Sequence, residues 1–214
     1  MYKHFFKRFF DLILSAIGIV ILALPMIIIA IAIVIDDPGP VIFKQKRLGK
    51  NKKIFNIYKF RTMYLEAPHE MATHDLVNPD KWITRVGHFL RMTSLDEIPQ
   101  IFNIFIGQMS IVGPRPTLWN EESLMRERDK YGVSEIKPGL TGWAQINGRD
   151  ILDDVQKAKY DGEYVKKCSF LFDAKCFFKT IVYVLKCNDF VEGASTSNSK
   201  KTTDLDEKIE QPAK

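Results

Sequence analysis

The feature that most constrains this chain is an uncharged apolar run from Leu12 to Ile35. As a helix at about 1.5 Å per residue, the run would be roughly 36 Å long, which exceeds the roughly 30 Å hydrocarbon core of a bilayer. Its Ile, Leu and Val side chains would favour insertion by about 5–10 kcal/mol. A secretory signal peptide is the alternative, but the apolar core is too long and no small-residue cleavage site follows it. The run therefore predicts membrane residence.

Basic residues flank the run on both sides, and the positive-inside tendency would place both ends in the cytosol. Pro25 lies near the middle and lacks the N–H that would bond to the carbonyl of Ile21. We therefore expect a re-entrant helix, broken at Pro25, that returns to the face it entered. A straight spanning helix is the alternative, because membrane helices tolerate proline.

The segment from Val41 to Leu65 is strongly basic and contains no acidic residue. Its eight positive charges are Lys44, Lys46, Arg47, Lys50, Lys52, Lys53, Lys59 and Arg61. They suit anionic lipid headgroups and anionic substrates alike, and so does the net charge of +5. The three cysteines have no C-x-x-C spacing, which favours reduced thiols in a cytosolic compartment.

The remaining patterns predict an α+β fold. Val41–Phe43 and Ile54–Tyr58 read as a small β-hairpin around Gly49, and residues 143–147 alternate like a strand. Helices are predicted over 118–130, 151–165 and 170–186. The last is either an amphipathic interfacial helix or a core helix. Residues 193–214 are almost devoid of apolar side chains and should be disordered.

Adjacent carboxylates, Asp96 and Glu97, precede the apolar periodicity that starts at Ile98. If Pro99 is the first helical residue, Asp96 and Glu97 lie just outside the helix N-terminus. A capping box from Ser94 would instead put the Pro99 ring inside the helix, where it clashes. The pair could serve only as a helix-dipole or capping feature. Beside basic segments, however, Asp96 could stay ionised as a nucleophile for phosphate chemistry, with Mg²⁺ bound by carboxylate and phosphate oxygens together.

Arg115 lies between Pro114 and Pro116, and this rigid turn suits a fixed guanidinium clamp for phosphate oxygens. Sequence motifs for other kinds of active site are incomplete, poorly placed or absent. His69 and His74 are one residue too far apart for the zinc helix motif, and the D-x-D at Asp204 lies in the polar tail. There is no P-loop and no G-x-S-x-G.

Four sequence motifs follow one another along the chain: KFRTM at 59–63, LRMTSLDEIPQ at 90–100, GQMSIVGPRP at 107–116 and KPGLTGWAQINGR at 137–149. With them the chain resembles the bacterial sugar transferase family, the small monotopic phosphoglycosyl transferases that act on polyprenol phosphate. The resemblance covers roughly residues 1 to 190. It implies a membrane-embedded monotopic fold, with a re-entrant helix over 1–36, a catalytic domain with interfacial helices over 37–192 and a tail over 193–214.

The resemblance also implies a two-step reaction. The carboxylate matching Asp96 attacks the sugar-bearing phosphate of a UDP-sugar, releases UMP and is itself displaced by polyprenol phosphate. Glu97 matches the second member of the dyad, and Asp96 is the expected Mg²⁺ ligand. The expected phosphate- or substrate-binding residues are Lys59, Arg61, Arg91, Arg115, Gln145 and Arg149.

The implied location is the cytosolic face of a bacterial inner membrane, early in exopolysaccharide or capsule synthesis. The expected partners are a UDP-sugar, polyprenol phosphate (undecaprenyl phosphate) and the lipid bilayer, with downstream glycosyltransferases as further candidates and no nucleic acid. Direct transfer in a ternary complex and a membrane-tethered binding module for an anionic polymer are the alternatives. Two positions depart from the family pattern: Leu24 precedes Pro25 where many relatives have Ser, and Gln108 replaces a usual Asp.

Overall fold

The computed structural model describes residues 2–67, 79–148 and 151–186. The described helices are α1 (Lys7–Asp36), α2 (Arg85–Met92), α3 (Gln100–Ile106), α4 (Glu122–Asp129), α5 (Asp154–Lys167) and α6 (Phe170–Lys186). The strands are β1 (Ile42–Leu48), β2 (Ile54–Phe60), β3 (Ser110–Val112) and β4 (Gly139–Thr141). This mixture of helices and small sheets agrees with the predicted α+β class. The predicted disordered tail, both histidines of the rejected zinc motif and Arg149 lie outside the described residues.

Helix α1 begins after a π-helical turn at Tyr2–Phe6 and continues through Pro25 to Asp36. By length and composition it could cross a membrane. Most of its apolar side chains are exposed, as on a helix made to face lipid. The break expected at Pro25 does not interrupt the helix, and the re-entrant course stays a prediction.

The first turns of α1 are bound to the rest of the domain by polar contacts. Arg8 donates to the carbonyls of Ile104 (2.6 Å) and Phe105 (2.7 Å) in the last turn of α3. Buried Asp11 accepts from the hydroxyl of Ser110 (3.0 Å) and from the backbone N–H of Ile111 (2.9 Å), both in β3. The N-terminal part of α1 is therefore fixed against α3 and β3.

The last turn of α1 is bound to the same domain. Asp36 accepts from the backbone N–H of Val86 (2.9 Å) at the start of α2, where a carboxylate also complements the helix dipole. Asp37 forms an ion pair with Arg61 at 2.5 Å. Ile33 packs in a buried cluster with Phe60 and Leu90. Both ends of the apolar helix therefore contact one folded unit.

The predicted β-hairpin is present. Strands β1 and β2 pair antiparallel, with Ile42 opposite Phe60 and Leu48 opposite Ile54. The connection contains Asn51 with φ 55°, a left-handed conformation that Asn adopts more readily than most residues. Both strands extend beyond the predicted limits. Phe55 and Ile57 on β2 are buried with Ile104 and Met109.

The predicted strand over 143–147 is wrong. The strand in this motif is β4, which pairs parallel with β3, and residues Gln145–Asn147 form a 3₁₀ turn. Gly142 packs so closely on Gly113 that a Cβ would lie 2.0 Å from its carbonyl oxygen. The chain turns away after this contact, so alternation at 143–147 does not reflect strand pairing.

The later helices follow the sequence prediction with shifted ends. Helix α4 is shorter than predicted, and α5 begins at a capping box formed by Asp153 and Gln156. Helix α6 has the predicted limits and buries Asp173 and Cys176 on one face. Its opposite face exposes Phe170, Leu171, Phe177, Phe178, Ile181 and Val182. This exposed apolar face favours the interfacial helix over the core helix.

Candidate active site

The Asp96–Glu97 pair lies in a short turn between α2 and α3. The hydroxyl of Thr93 donates to the carbonyl of Phe89 (2.8 Å) at the end of α2, and Ser94 then turns the chain with a left-handed φ of 56°. Leu95–Glu97 form one 3₁₀ turn, and α3 starts immediately after Pro99. The predicted position of the pair just outside a helix N-terminus is confirmed, and no capping box forms at Ser94.

Apolar neighbours fix this turn in place. Leu95 and Ile98, on either side of the carboxylates, pack against the buried cluster of Phe60 and Leu90. Asp96 is 5% exposed. Burying an acidic side chain is costly unless charged or hydrogen-bonding groups face it. The groups around Asp96 are therefore decisive for its chemistry.

Among the residues that the structure describes, Lys59 and Arg115 approach the pair from other elements. Lys59 on β2 places its Nζ 2.9 Å from Glu97 Oε1 and 3.6 Å from Asp96 Oδ2. Both guanidinium NH groups of Arg115 lie 3.3 Å from the same Glu97 oxygen. Four of the predicted site residues, from three separate sequence motifs, thus meet in one place.

Asn103 joins the strand carrying Lys59 to the helix that follows the dyad. It is fully buried on α3, accepts from the backbone N–H of Tyr58 (3.0 Å) and donates to the carbonyl of Asn56 (2.8 Å). It also donates to the side-chain carbonyl of Gln108 (2.7 Å), so Gln108 belongs to this network. Sequence reasoning missed Asn103, although an amide inside the apolar run 101–106 was a visible signal.

Arg61 and Arg91 are not part of the cluster formed by Lys59, Asp96, Glu97 and Arg115. Arg61 is 6% exposed and its guanidinium binds the side chain and the backbone carbonyl of Asp37. Arg91 donates through Nε to Thr62 (2.9 Å), and its buried NH1 has no hydrogen-bond partner among the described residues. Arg61 therefore anchors α1, whereas Arg91 keeps a donor available near the turn that leads to the dyad.

Gln145 lies in the 3₁₀ turn after β4 and is 8% exposed. Its amide nitrogen donates to the carbonyl of Leu140 (3.1 Å), and its Oε1 has no partner within the described part of the chain. This contact is made to β4 and not to the dyad. The predicted substrate role of Gln145 stays a prediction.

The donor set is compatible with Mg²⁺. Within residues 2–67, 79–148 and 151–186 there is no group of three or more His, Cys, Asp or Glu that could hold a metal ion by itself. Magnesium is commonly bound through one or two carboxylates together with substrate phosphates and water. Asp96 and Glu97 supply that number of carboxylates, and Lys59 and Arg115 supply charges suited to phosphate.

The sequence matches the model of the family described as bacterial sugar transferase over residues 2–187. The chain belongs to this family. It is 40% identical over 182 residues to the UDP-glucose:undecaprenyl-phosphate glucose-1-phosphate transferase of Escherichia coli, a match that covers 82% of this chain and 39% of the relative. It is 39% identical over 199 residues to the undecaprenyl-phosphate galactose phosphotransferase of Salmonella typhimurium, covering 86% and 41%.

The chain spans about two fifths of the length of these two relatives. The uncharacterized sugar transferase EpsL of Bacillus subtilis is closer in size: the match is 39% identical over 180 residues and covers 84% of this chain and 87% of EpsL. The region that matches the family model, residues 2–187, contains Asp96, Glu97, Lys59 and Arg115.

Proposed function

We propose that this chain transfers a sugar-1-phosphate from a UDP-sugar to polyprenol phosphate, with undecaprenyl phosphate as the lipid. The observation that carries the proposal is the pair of buried Asp96 and half-buried Glu97, faced by Lys59 and Arg115. Similarity to relatives named for transfer of glucose or galactose phosphate to undecaprenyl phosphate supports the same reaction class.

In the first proposed step a carboxylate oxygen of Asp96 attacks the phosphorus that bears the sugar. The bond from that phosphorus to the bridging oxygen breaks, UMP leaves with the bond electrons, and an aspartyl phosphosugar remains. Such covalent catalysis divides one difficult exchange into two easier ones. Lys59 and Arg115 would bind the diphosphate oxygens and offset the charge that repels an anionic nucleophile.

In the second proposed step an oxygen of polyprenol phosphate attacks the same phosphorus and releases Asp96. The product is a polyprenyl-diphosphate-sugar, so one pyrophosphate linkage replaces another without a separate energy source. Mg²⁺, held by Asp96 and the diphosphate with Glu97 nearby, would supply Lewis-acid neutralisation of phosphate charge. Glu97 is also placed to assist proton transfer.

We further propose that α1 is re-entrant and that the site faces the cytosol at the inner membrane. Polar contacts at Arg8 and Asp11 and at Asp36 and Asp37 attach both ends of α1 to one domain. A straight spanning helix would place its ends on opposite sides of roughly 30 Å of hydrocarbon. The exposed apolar face of α6 supports an interfacial position for the site, where a lipid phosphate can reach it.

The deciding experiment measures UMP release from a panel of UDP-sugars by detergent-purified protein with Mg²⁺ and undecaprenyl phosphate. UDP-glucose and UDP-galactose belong in the panel because the relatives are named for these sugars. We expect release with at least one donor and its loss in Asp96→Asn. Absence of release from every UDP-sugar would refute the transferase and leave the anionic-polymer binding module as the remaining hypothesis.

Incubation with UDP-sugar radiolabelled in the sugar, without lipid acceptor, separates the two transfer mechanisms. A covalent intermediate predicts that the label becomes attached to wild-type protein without lipid acceptor, and that Asp96→Asn stays unlabelled. Direct transfer in a ternary complex predicts no labelled protein, while UMP release still requires undecaprenyl phosphate.

A further inference from the structure

The loop that carries Arg115 is held from outside through three consecutive carbonyl groups. They accept hydrogen bonds from the backbone N–H of Gly139 to Pro114 (2.8 Å), from Arg128 NH1 to Arg115 (2.9 Å) and from Arg47 NH1 to Pro116 (3.1 Å). Proline has no N–H, so two of these three residues can be held by backbone hydrogen bonds only through their carbonyls. The direction of the Arg115 side chain therefore depends on what binds this row of oxygens.

Arg128 occupies the middle contact and comes from outside the dyad cluster. It lies on α4, is 8% exposed, and pairs with fully buried Asp161 on α5. Its Nε and NH2 lie 2.8 Å and 2.6 Å from Asp161 Oδ2. Burial raises the pKa of Asp161, and the charge and hydrogen bond of Arg128 counteract that rise.

The planar guanidinium makes the two contacts of Arg128 interdependent. Because Nε and NH2 are directed to Asp161, the third nitrogen can point only along a fixed direction, and that direction meets the carbonyl of Arg115. The pair is thus connected to the site by one backbone hydrogen bond.

We propose that Arg128, oriented by Asp161, is a positioning residue that sets the reach of Arg115 toward Glu97 and the diphosphate of the donor. The inference rests on the proposed function, since it concerns the grip of Arg115 on substrate phosphate. Arg128 does not touch the dyad in its own hydrogen bonds; it acts through the Arg115 backbone.

The test uses Arg128→Lys, Arg115→Ala and the double variant in the full chain. Lysine keeps the positive charge beside Asp161 but lacks the rigid fork. Arg126→Lys is the matched control, since Arg126 lies on the same helix and forms an exposed pair with Glu122. The readouts are the dissociation constant for UDP, kcat/KM for UMP release and the thermal unfolding midpoint in detergent.

We expect Arg128→Lys to weaken UDP binding and lower kcat/KM by about tenfold, because lysine lacks the rigid fork that holds Asp161 and the Arg115 carbonyl together. In the Arg115→Ala background the same change should have less than about a twofold effect. The Arg126→Lys protein should match wild type. An equal loss in both backgrounds, or no loss in the Arg128→Lys single variant, would overturn the positioning role.

Hydrogen exchange over residues 113–118 provides a test without substrate. Arg128→Lys should speed exchange in this loop, and Arg126→Lys should not. Unchanged exchange in Arg128→Lys would also overturn the proposal. If wild-type protein neither binds UDP nor releases UMP, the proposed function fails, while the exchange result still decides whether Arg128 holds the loop.

Discussion

Lys59 contacts both members of the acidic pair. It is mostly buried, so its charge acts on Asp96 and Glu97 with less screening by water than a surface lysine would provide. In the proposed reaction the same ammonium would stabilise charge that develops on the phosphate oxygens. Its removal would leave adjacent, poorly hydrated carboxylates facing an anionic substrate.

We therefore predict that Lys59→Met lowers kcat/KM for UMP release by about 100-fold, the size of effect seen when one preorganised donor is lost. Lys53→Met, at an exposed position in the same hairpin, is the matched control and should retain activity. Wild type and both variants should have equal thermal unfolding midpoints, so that a loss of activity does not reflect unfolding. Full activity in Lys59→Met would exclude Lys59 from the site.

Arg61 has a different predicted phenotype, although its motif suggested phosphate binding. Its guanidinium is buried against half-buried Asp37, and removing the guanidinium leaves the Asp37 carboxylate without this charged partner. We predict that Arg61→Met lowers the free energy of unfolding by roughly 3 kcal/mol and leaves KM for the UDP-sugar unchanged. Denaturant unfolding in detergent measures the first effect and steady-state kinetics the second. A raised KM at unchanged stability would restore the phosphate-binding role.

At the level of secondary-structure elements, a glycine lets α2 pack closely on the backbone of Thr62, two residues after β2 ends. A Cβ at Gly87 would lie 2.1 Å from the carbonyl oxygen of Thr62, and the same oxygen accepts from the backbone N–H of Thr84. The Thr84 hydroxyl in turn accepts from the N–H of Gly87 (2.9 Å) as the helix cap. The position of α2 thus depends on contact with the backbone of Thr62, just after β2.

We predict that Gly87→Ala destabilises the protein by about 1–3 kcal/mol, because backbone rather than a flexible side chain occupies the space. Activity should fall as well, since the Asp96 turn follows α2 directly. His88→Ala tests the next, exposed position of the same helix and should be nearly neutral. Thermal unfolding of the three proteins decides, and a wild-type midpoint for Gly87→Ala would contradict the seating of α2.

The sequence predicted the elements whose determinants are local. The hairpin was visible from its turn residues, and Pro99 placed the start of α3 within one residue because its ring fits only the beginning of a helix. The strand predicted over 143–147 failed because alternation does not register the close approach of Gly142 to Gly113. Backbone packing between segments far apart in sequence overrides such a pattern.

The site was predictable in its residue types but not in its partners. Lys59 and Glu97 are 38 positions apart, Arg61 and Asp37 24, and Arg128 and Asp161 33. Nothing in the local periodicity distinguishes the arginine that faces the dyad from those that anchor α1 or support a loop. Only the folded arrangement of β2, α4 and α5 separates these three roles.

For the molecule as a whole, the exposed apolar surface and the polar contacts of α1 both bear on how the protein sits in a membrane. The apolar residues exposed on α2 and α3 are Phe89, Met92, Phe102, Phe105 and Ile106, in addition to those on α1 and α6. Apolar surface of this extent is unusual for a soluble protein and suits contact with lipid. Hydrogen bonds and ion pairs at the two ends of α1 lie on the domain that carries the dyad.

A re-entrant α1 predicts that both of its ends are accessible from the cytosol. Single cysteines at Lys3 and Pro40, both exposed positions, can be placed in a background with Cys168→Ser, Cys176→Ala and Cys187→Ser. A membrane-impermeant maleimide should label both in inverted vesicles and neither in right-side-out vesicles. Ala23→Cys, near the middle of α1, should resist the reagent in both preparations because hydrocarbon surrounds it.

The labelling pattern discriminates among three arrangements of the same helix. A straight spanning helix would expose one end to each side, so each vesicle type would label one of the two terminal cysteines. A helix lying flat on the cytosolic surface would label at both ends and also at position 23 in inverted vesicles. Labelling of both ends without the middle requires a helix that enters and returns, and a 30-residue α1 can do so only by bending within the bilayer. Pro25 is then the expected bend, because its missing N–H removes one helical hydrogen bond.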